Sequence, residues 1–198
     1  AVFHDALGAN PAEALSRSSG DWTLRLLCLV LAISPLRDLL KAPVLLRFRR
    51  STGVACFVYA VLHLLCYVWF DQNLEINEIA KDLVKRPFIW LGMLGFVFML
   101  PLALTSFNAA VRWLGGKRWQ QLHRLVYVLP VFALLHFYWM RAGKNDFEEV
   151  WVYTVVLGVL LWGLLRSPWG KAFASRSLPR ASKMRSRRHC CATWAAPF

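Results

Sequence analysis

The sequence predicts an all-α membrane protein, a polytopic helical bundle, and three observations support this class. Hydrophobic residues make up 58% of the 198 residues, charged residues make up only 18%, and the mean hydropathy is +0.43. The apolar residues form long continuous blocks, and at least four of them reach the roughly 20 residues that a helix needs to cross a bilayer. A soluble domain of this length would carry more charge and would show amphipathic stripes.

Five blocks are predicted to be membrane spans. The five predicted spans are residues 22–40, 51–70, 88–107, 119–140 and 148–166. Prolines inside spans are tolerated in a bundle because neighbouring helices satisfy the freed backbone groups; they are Pro35, Pro101 and Pro130. Tryptophans lie near span ends, as in an interfacial aromatic belt: Trp22, Trp69, Trp90, Trp119, Trp139 and Trp151.

The distribution of basic residues predicts how the bundle is oriented in the membrane. If the 41–50 loop, the 108–118 loop and the C-terminus share one side, that side holds 17 Lys and Arg residues against 6 on the other. Basic loops stay in the cytoplasm, so the 41–50 loop and the C-terminus are predicted to be cytoplasmic. The net charge of +13 therefore reflects topology and contact with the lipid bilayer, and no nucleic-acid partner is expected.

The chain ends differ from the bundle at 22–166. Residue 1 is predicted to lie on the outer, periplasmic side, so segment 1–21 is expected to follow a first span or signal upstream of this sequence. Residues 167–198 are basic, rich in Ser and Arg, and without apolar periodicity, which predicts a disordered cytoplasmic tail.

Three histidines lie well inside the predicted spans: His63, His123 and His136. An ionisable residue in a span is expensive to leave unpaired and therefore indicates a function. Neutral imidazole is a good ligand for a metal or for haem iron. The alternative is a purely structural role, in which each histidine only hydrogen-bonds a neighbouring helix. Buried carboxylates are scarce in the spans, which argues against a proton-coupled transporter.

Depth separates the three histidines. His63 lies eight residues before Asp71 and His136 five before Arg141, so both belong to the outer half and differ in depth by only about 4–5 Å. His123 lies near the cytoplasmic surface, roughly 20 Å from His136 along the helix, so these two do not ligate one iron. On an ideal helix His123 and His136 also differ in direction by about 220°. Pro130 lies between them and favours a kink, which leaves the true phase open.

Several short motifs, in order and spacing, resemble one family over about residues 7–166. They are Leu7-Gly8-Ala9-Asn10-Pro11, Ile33-Ser34-Pro35-Leu36-Arg37, Leu62-His63-Leu64, Lys85-Arg86-Pro87, Pro101 to Ser106, and Leu122-His123-Arg124-Leu125-Val126-Tyr127. The chain resembles the haem-binding membrane subunit of the bacterial periplasmic methionine sulfoxide reductase system, within the ferric-reductase-like transmembrane superfamily.

The resemblance implies a six-span protein of the bacterial inner membrane that carries haem b and FMN. It implies electrons from a cytoplasmic flavin reductase or from quinol, and delivery to a periplasmic molybdopterin-containing methionine sulfoxide reductase that repairs oxidised proteins. The functional histidines of the family match His63, His123 and His136. The chain itself is expected to be a relay and not the sulfoxide-reducing catalyst, because nothing in it resembles a molybdenum site or a redox-active thiol pair.

We therefore expect His63 and His136 to be the axial ligands of an outer haem iron, and His123 to serve a second cofactor on the cytoplasmic side, either another haem or the flavin. The residues considered for flavin or partner contact are Arg49, Arg50, Lys117 and Arg118. Their alternative role is topology and contact with lipid headgroups. The rival functions are a related transmembrane ferric or quinone reductase and a histidine-lined metal or proton transporter.

Overall fold

The computed structural model describes residues 11–142 and 147–166, and all regular secondary structure within those residues is helical. The helices are α1 (Pro11–Leu40), α2 (Leu45–Cys66), α3 (Ile76–Lys85), α4 (Pro87–Leu104), α5 (Asn108–Leu114), α6 (Gly116–Leu122), α7 (Leu129–Ala142) and α8 (Glu148–Arg166). A π-helical turn (Tyr67–Asp71) extends α2, and a 3-10 turn (His123–Tyr127) joins α6 to α7. The predicted fold class, an all-α membrane protein, is confirmed.

Three stretches are long and apolar enough to cross a membrane: Leu45–Asp71, Pro87–Leu104 and Gly116–Ala142. They correspond to the predicted spans 51–70, 88–107 and 119–140. Only 11%, 11% and 22% of the residues in their apolar windows are buried inside the protein. A helix that is apolar on all sides yet so little covered by protein suits a hydrocarbon surrounding and not water.

The other two predicted spans, 22–40 and 148–166, are helical throughout in α1 and α8, and their crossing of the membrane stays a prediction. Helix α1 begins at Pro11, so the second half of the predicted lead segment 1–21 is already helical. Residues 1–10, 143–146 and 167–198, which include the predicted basic tail, lie outside the described residues.

Residues up to Leu164 form one compact unit, and a second unit, Leu165–Phe198, lies almost entirely outside the described residues. In the first unit, α1 packs mainly against α2, and α4 packs mainly against α7. The core is centred on α1, where Leu24, Leu27 and Leu31 recur at the spacing of one helix face. Buried residues of other helices pack with this face; they include Cys56, Phe137, Leu157 and Leu164.

The predicted span 119–140 is not one continuous α-helix. Pro130 has no N–H to donate to the carbonyl of Val126, and its ring crowds the preceding turn. The backbone before it tightens into the 3-10 turn, with Val128 N bonded to Leu125 O at 3.0 Å and Val131 N bonded to Val128 O at 3.1 Å. The ideal-helix phase between His123 and His136 therefore does not apply.

Gly115, between α5 and α6, has φ +74° and ψ 147°, a conformation that essentially only glycine adopts. A Cβ at this position would meet no atom within 4 Å, so the cost of a side chain is purely conformational.

We expect Gly115→Ala to destabilise the protein by about 1–3 kcal/mol. The measurement is thermal unfolding of the purified protein in detergent. Gly116→Ala is the control, because Gly116 is equally uncrowded and has no positive φ. Equal unfolding temperatures for the two variants would contradict the prediction.

Candidate functional site

Two of the three embedded histidines face each other. His63 lies near the end of α2 and His136 lies in α7, and their ring centroids are 6.3 Å apart with the ring planes at 82°. Each is partly buried. The structure thus brings together the two residues that the sequence placed at similar depth on separate helices. Their role as haem ligands stays a prediction.

The ring of His63 is fixed by α1. Its Nδ1 lies 2.9 Å from the carbonyl oxygen of Ser16, and the hydroxyl of Ser19 lies 3.4 Å from the same nitrogen. A carbonyl oxygen only accepts hydrogen bonds, so Nδ1 carries the proton and donates it. In a neutral imidazole this leaves the lone pair on Nε2, which is the arrangement that a metal-binding histidine needs.

The ring of His136 is fixed in the same way by α4. Its Nδ1 lies 2.7 Å from the carbonyl oxygen of Phe88, and the Phe88 ring lies 5.9 Å from the imidazole, centroid to centroid. By the same reasoning His136 donates from Nδ1 and keeps its lone pair on Nε2. Both histidines are therefore oriented by a helix carbonyl, and each has its Nε2 lone pair available when the ring is neutral.

The pair fits an iron atom held between two imidazoles. With metal–imidazole bonds of the usual length, about 2.0–2.1 Å, two opposed rings have centroids about 6.3–6.5 Å apart. The observed separation is 6.3 Å. Within residues 11–142 and 147–166, no group of three or more His, Cys, Asp or Glu residues is placed to hold a metal ion. An iron bound by the two imidazoles in haem would take its other four ligands from the porphyrin.

His123 has different surroundings. It begins the 3-10 turn, its Nε2 lies 3.1 Å from the hydroxyl oxygen of Thr105, and its ring stacks on Trp119 at 4.0 Å. The indole N–H of Trp119 donates to the carbonyl of Thr105 at 2.9 Å, which ties α6 to the end of α4. The partners of His123 are thus a hydroxyl and an indole, and the facing pair lies elsewhere.

The four basic residues considered for flavin or partner contact divide into two sets. Arg49 is partly buried and hydrogen-bonded to Tyr127, and Arg50 donates to the side-chain oxygen of Asn108 at 2.6 Å. The charges of both arginines act on His123. Lys117 and Arg118, in contrast, are exposed on α6. Arg49 and Arg50 therefore lie close enough to His123 to share a site with it, while Lys117 and Arg118 present free surface charge.

Sequence reasoning missed several residues that shape these sites. The sequence predicts only an interfacial role for Trp119, whose ring also stacks on His123. The sequence predicts no separate role for Thr105, although its hydroxyl lies beside His123. Ser16 and Phe88 act through backbone carbonyls, and every residue has one, so the sequence carries no signal for them. Spacing from the histidines gives no signal either, because the partners are 47 and 48 residues away.

Comparison with known proteins gives a consistent family. The family described as "Ferric reductase like transmembrane component" matches residues 19–134. A protein of Polaromonas naphthalenivorans (strain CJ2) is 54% identical over 87% of this chain and 78% of its own length. Relatives in Herminiimonas arsenicoxydans (48% identical, 92% of this chain, 84% of theirs) and Caulobacter vibrioides (44%, 87% and 80%) also match.

All three relatives are named protein-methionine-sulfoxide reductase heme-binding subunit MsrQ. No solved structure matches the chain. The family match covers more than half of the sequence, and the relatives are similar over most of their length. The chain belongs to the ferric-reductase-like transmembrane family and, within it, to the group of methionine sulfoxide reductase heme-binding subunits.

Proposed function

We propose that this chain is the membrane electron-transfer subunit of a methionine sulfoxide reductase system and that it holds haem b between His63 and His136. The observation that carries the proposal is the facing pair of imidazoles, each tied to a helix carbonyl through Nδ1 and 6.3 Å from the other. The relatives are named as heme-binding subunits, which supports haem as the cofactor. The facing pair provides two imidazoles whose separation agrees with that of two ligands on one iron atom.

The proposed ligands suit electron transfer better than chemistry at the metal. When bound, haem b accepts and releases one electron at its iron. With His63 and His136 both bound to the haem iron, no coordination position would stay open for a substrate. The residues of this chain orient the two imidazoles through the carbonyls of Ser16 and Phe88, and the helices that carry the imidazoles are long and apolar enough to cross a membrane. A protein sets the reduction potential of a haem through the axial ligands and through the polarity of their surroundings.

On the cytoplasmic side we propose a second cofactor or electron-donor site around His123. The site combines His123, Thr105 and Trp119 with the partly buried guanidinium of Arg49. Either a second haem or FMN remains the proposed occupant. The basic residues Arg49, Arg50, Lys117 and Arg118 suit the phosphate of FMN or an acidic reductase surface. The proposed donor is a cytoplasmic flavin reductase or quinol.

The remaining proposals concern location and partners. We place the protein in the bacterial inner membrane with the 41–50 loop and the C-terminus in the cytoplasm, because the basic residues are concentrated on that side. The facing pair then lies toward the periplasm, where a molybdopterin-containing methionine sulfoxide reductase would collect the electron. A related ferric or quinone reductase would share the haem site and would differ in the acceptor. Oxidation of the reduced protein by the purified periplasmic reductase, against ferric chelates and quinones, separates these alternatives.

Replacing either member of the facing pair is expected to remove the outer haem. In His63→Ala and in His136→Ala, one axial ligand is lost and the haem content of the purified protein should fall to a small fraction of the wild-type value. The measurement is the Soret absorbance together with chemical haem quantification after haem-supplemented expression. Tyr138→Phe is the matched control, since Tyr138 lies in α7 two residues after His136 and is exposed. Full haem content in both histidine variants would refute the assignment.

The cytoplasmic site is tested by a variant that spares the outer haem. We expect His123→Ala to keep the His63–His136 haem spectrum and to slow reduction of this haem by the cytoplasmic donor several-fold, because the inner end of the path is lost. Stopped-flow reduction in proteoliposomes gives the rate. Gln120→Ala serves as the control, because this exposed residue lies one turn earlier in the same segment. Reduction of the outer haem at the wild-type rate would remove His123 from the path.

Orientation is tested by labelling introduced cysteines. In a background with Cys190→Ser and Cys191→Ser, we expect Lys81→Cys to react with a membrane-impermeant maleimide in intact spheroplasts. Lys41→Cys is expected to react only after the membrane is opened. Both positions are exposed in the structure, so accessibility to protein does not limit either reaction. The reverse pattern would invert the proposed topology.

A further inference from the structure

Two glycines lie directly against the facing histidines. A Cβ added to Gly20 would come 3.1 Å from Cε1 and 3.2 Å from Nδ1 of His63, and one added to Gly92 would come 2.9 Å and 3.0 Å from the same atoms of His136. Contacts this short are rare or absent between real Cβ atoms and their neighbours, so the ring or the helix would have to move. The imidazoles therefore occupy space that any side chain at Gly20 or Gly92 would fill.

The two contacts are built alike. Ser16, whose carbonyl accepts the proton of His63, lies four residues before Gly20, and Phe88, whose carbonyl accepts that of His136, lies four residues before Gly92. Residues four apart in a helix lie on one face, about 6 Å apart along the axis. Each imidazole thus lies along one helical turn, with its Nδ1 on the carbonyl and its Cε1 on the glycine. We call this combination of carbonyl and glycine a histidine seat.

The rings have little freedom to avoid a new methyl group. An imidazole has only two side-chain torsions, and its Nδ1 is already fixed by a hydrogen bond of 2.9 Å in His63 or 2.7 Å in His136. A shift of the ring away from the glycine moves Nε2 as well, because the ring is rigid. In a gap whose width matches two metal–imidazole bonds, such a shift changes the very distance and angle that a bridging iron would require.

We propose that Gly20 and Gly92 are positioning residues for the two axial imidazoles: each glycine leaves the space in which a ring, anchored to the carbonyl four residues earlier, directs its Nε2 into the gap. This inference rests on the proposed ligation of haem by His63 and His136. It adds that the two seats, one on α1 and one on α4, set the distance and mutual angle of the ligands.

The first test compares Gly20→Ala and Gly92→Ala with Gly95→Ala and Gly158→Ala. Gly95 lies in α4 beside Gly92 and has only an ordinary contact, 3.6 Å to Phe132 Cβ, and Gly158 has no atom within 4 Å. Alanine is the better helix former, so helix propensity alone predicts no loss at any of the four positions. We expect only the two seat variants to weaken haem retention, by about 10–100-fold, the usual effect of removing support behind a metal ligand.

The haem that remains in the seat variants supplies a readout that a general defect would not move. The low-spin ferric signal in electron paramagnetic resonance depends on the angle between the axial ring planes, which is 82° here. We expect this signal and the midpoint potential to shift in Gly20→Ala and Gly92→Ala and to stay unchanged in the two controls. Seat variants that match the controls in haem retention, spectrum and potential would overturn the inference.

A second test keeps the inference falsifiable if a seat variant loses all haem. Full-length His63→Ala and His136→Ala are both expected to lack haem, so Gly20→Ala is added to each and thermal unfolding is measured in detergent. A clash with the His63 ring predicts a lower unfolding temperature in the His136→Ala background and no decrease in the His63→Ala background. An equal decrease in both backgrounds would refute the seat.

The variants distinguish a failure of the proposed haem ligation from a failure of the positioning role of the glycines. If His63→Ala and His136→Ala retain haem, the proposed ligation is wrong whatever the glycine variants do. If they lose haem while Gly20→Ala and Gly92→Ala behave like the controls, the ligation stands and the positioning role is wrong.

Discussion

A hydrogen bond from an imidazole Nδ1–H to the carbonyl of a neighbouring helix underlies the rest of this structure. It occurs twice, at 2.9 Å between His63 and Ser16 and at 2.7 Å between His136 and Phe88. In hydrocarbon an unpaired N–H costs several kcal/mol, so each bond joins a helix pair, α1 with α2 and α4 with α7. The same bond assigns the tautomer and directs the free nitrogen. Packing, protonation and ligand direction therefore have one common cause.

The two sites that we propose differ in kind. His63 and His136 are two like rings with centroids 6.3 Å apart, an arrangement suited to one metal between them. Near His123 the structure instead combines a hydroxyl, an indole and the partly buried guanidinium of Arg49. Such a mixture of donors, an aromatic face and positive charge suits a flat, polar or anionic molecule. The chain thus offers different chemistry at the two ends of the electron path that we propose.

The sequence sufficed for features that depend on apolar length and position along the chain. It predicted the three helices that are long and apolar enough to cross a membrane and the matched depth of His63 and His136, because both follow from counting residues. It did not predict that Pro130 would convert five preceding residues into a 3-10 turn, since the direction of His123 depends on how the backbone relaxes. It missed the early start of α1, although Pro11 stands at the first helical position, where proline is common. Backbone acceptors and absent side chains, as at Ser16 and Gly20, leave no pattern to find.

The facing histidines belong to different helix pairs, and this has a consequence for the life of the protein in the cell. A cofactor bound by both rings cross-links the α1–α2 pair to the α4–α7 pair, and occupancy at a hundred times the dissociation constant adds about 2.7 kcal/mol of stability. Chains with and without the cofactor would then differ about 100-fold in how often the pairs separate and expose polar backbone to membrane proteases. If His63 and His136 hold the cofactor as proposed, the abundance of this subunit would follow the supply of that cofactor.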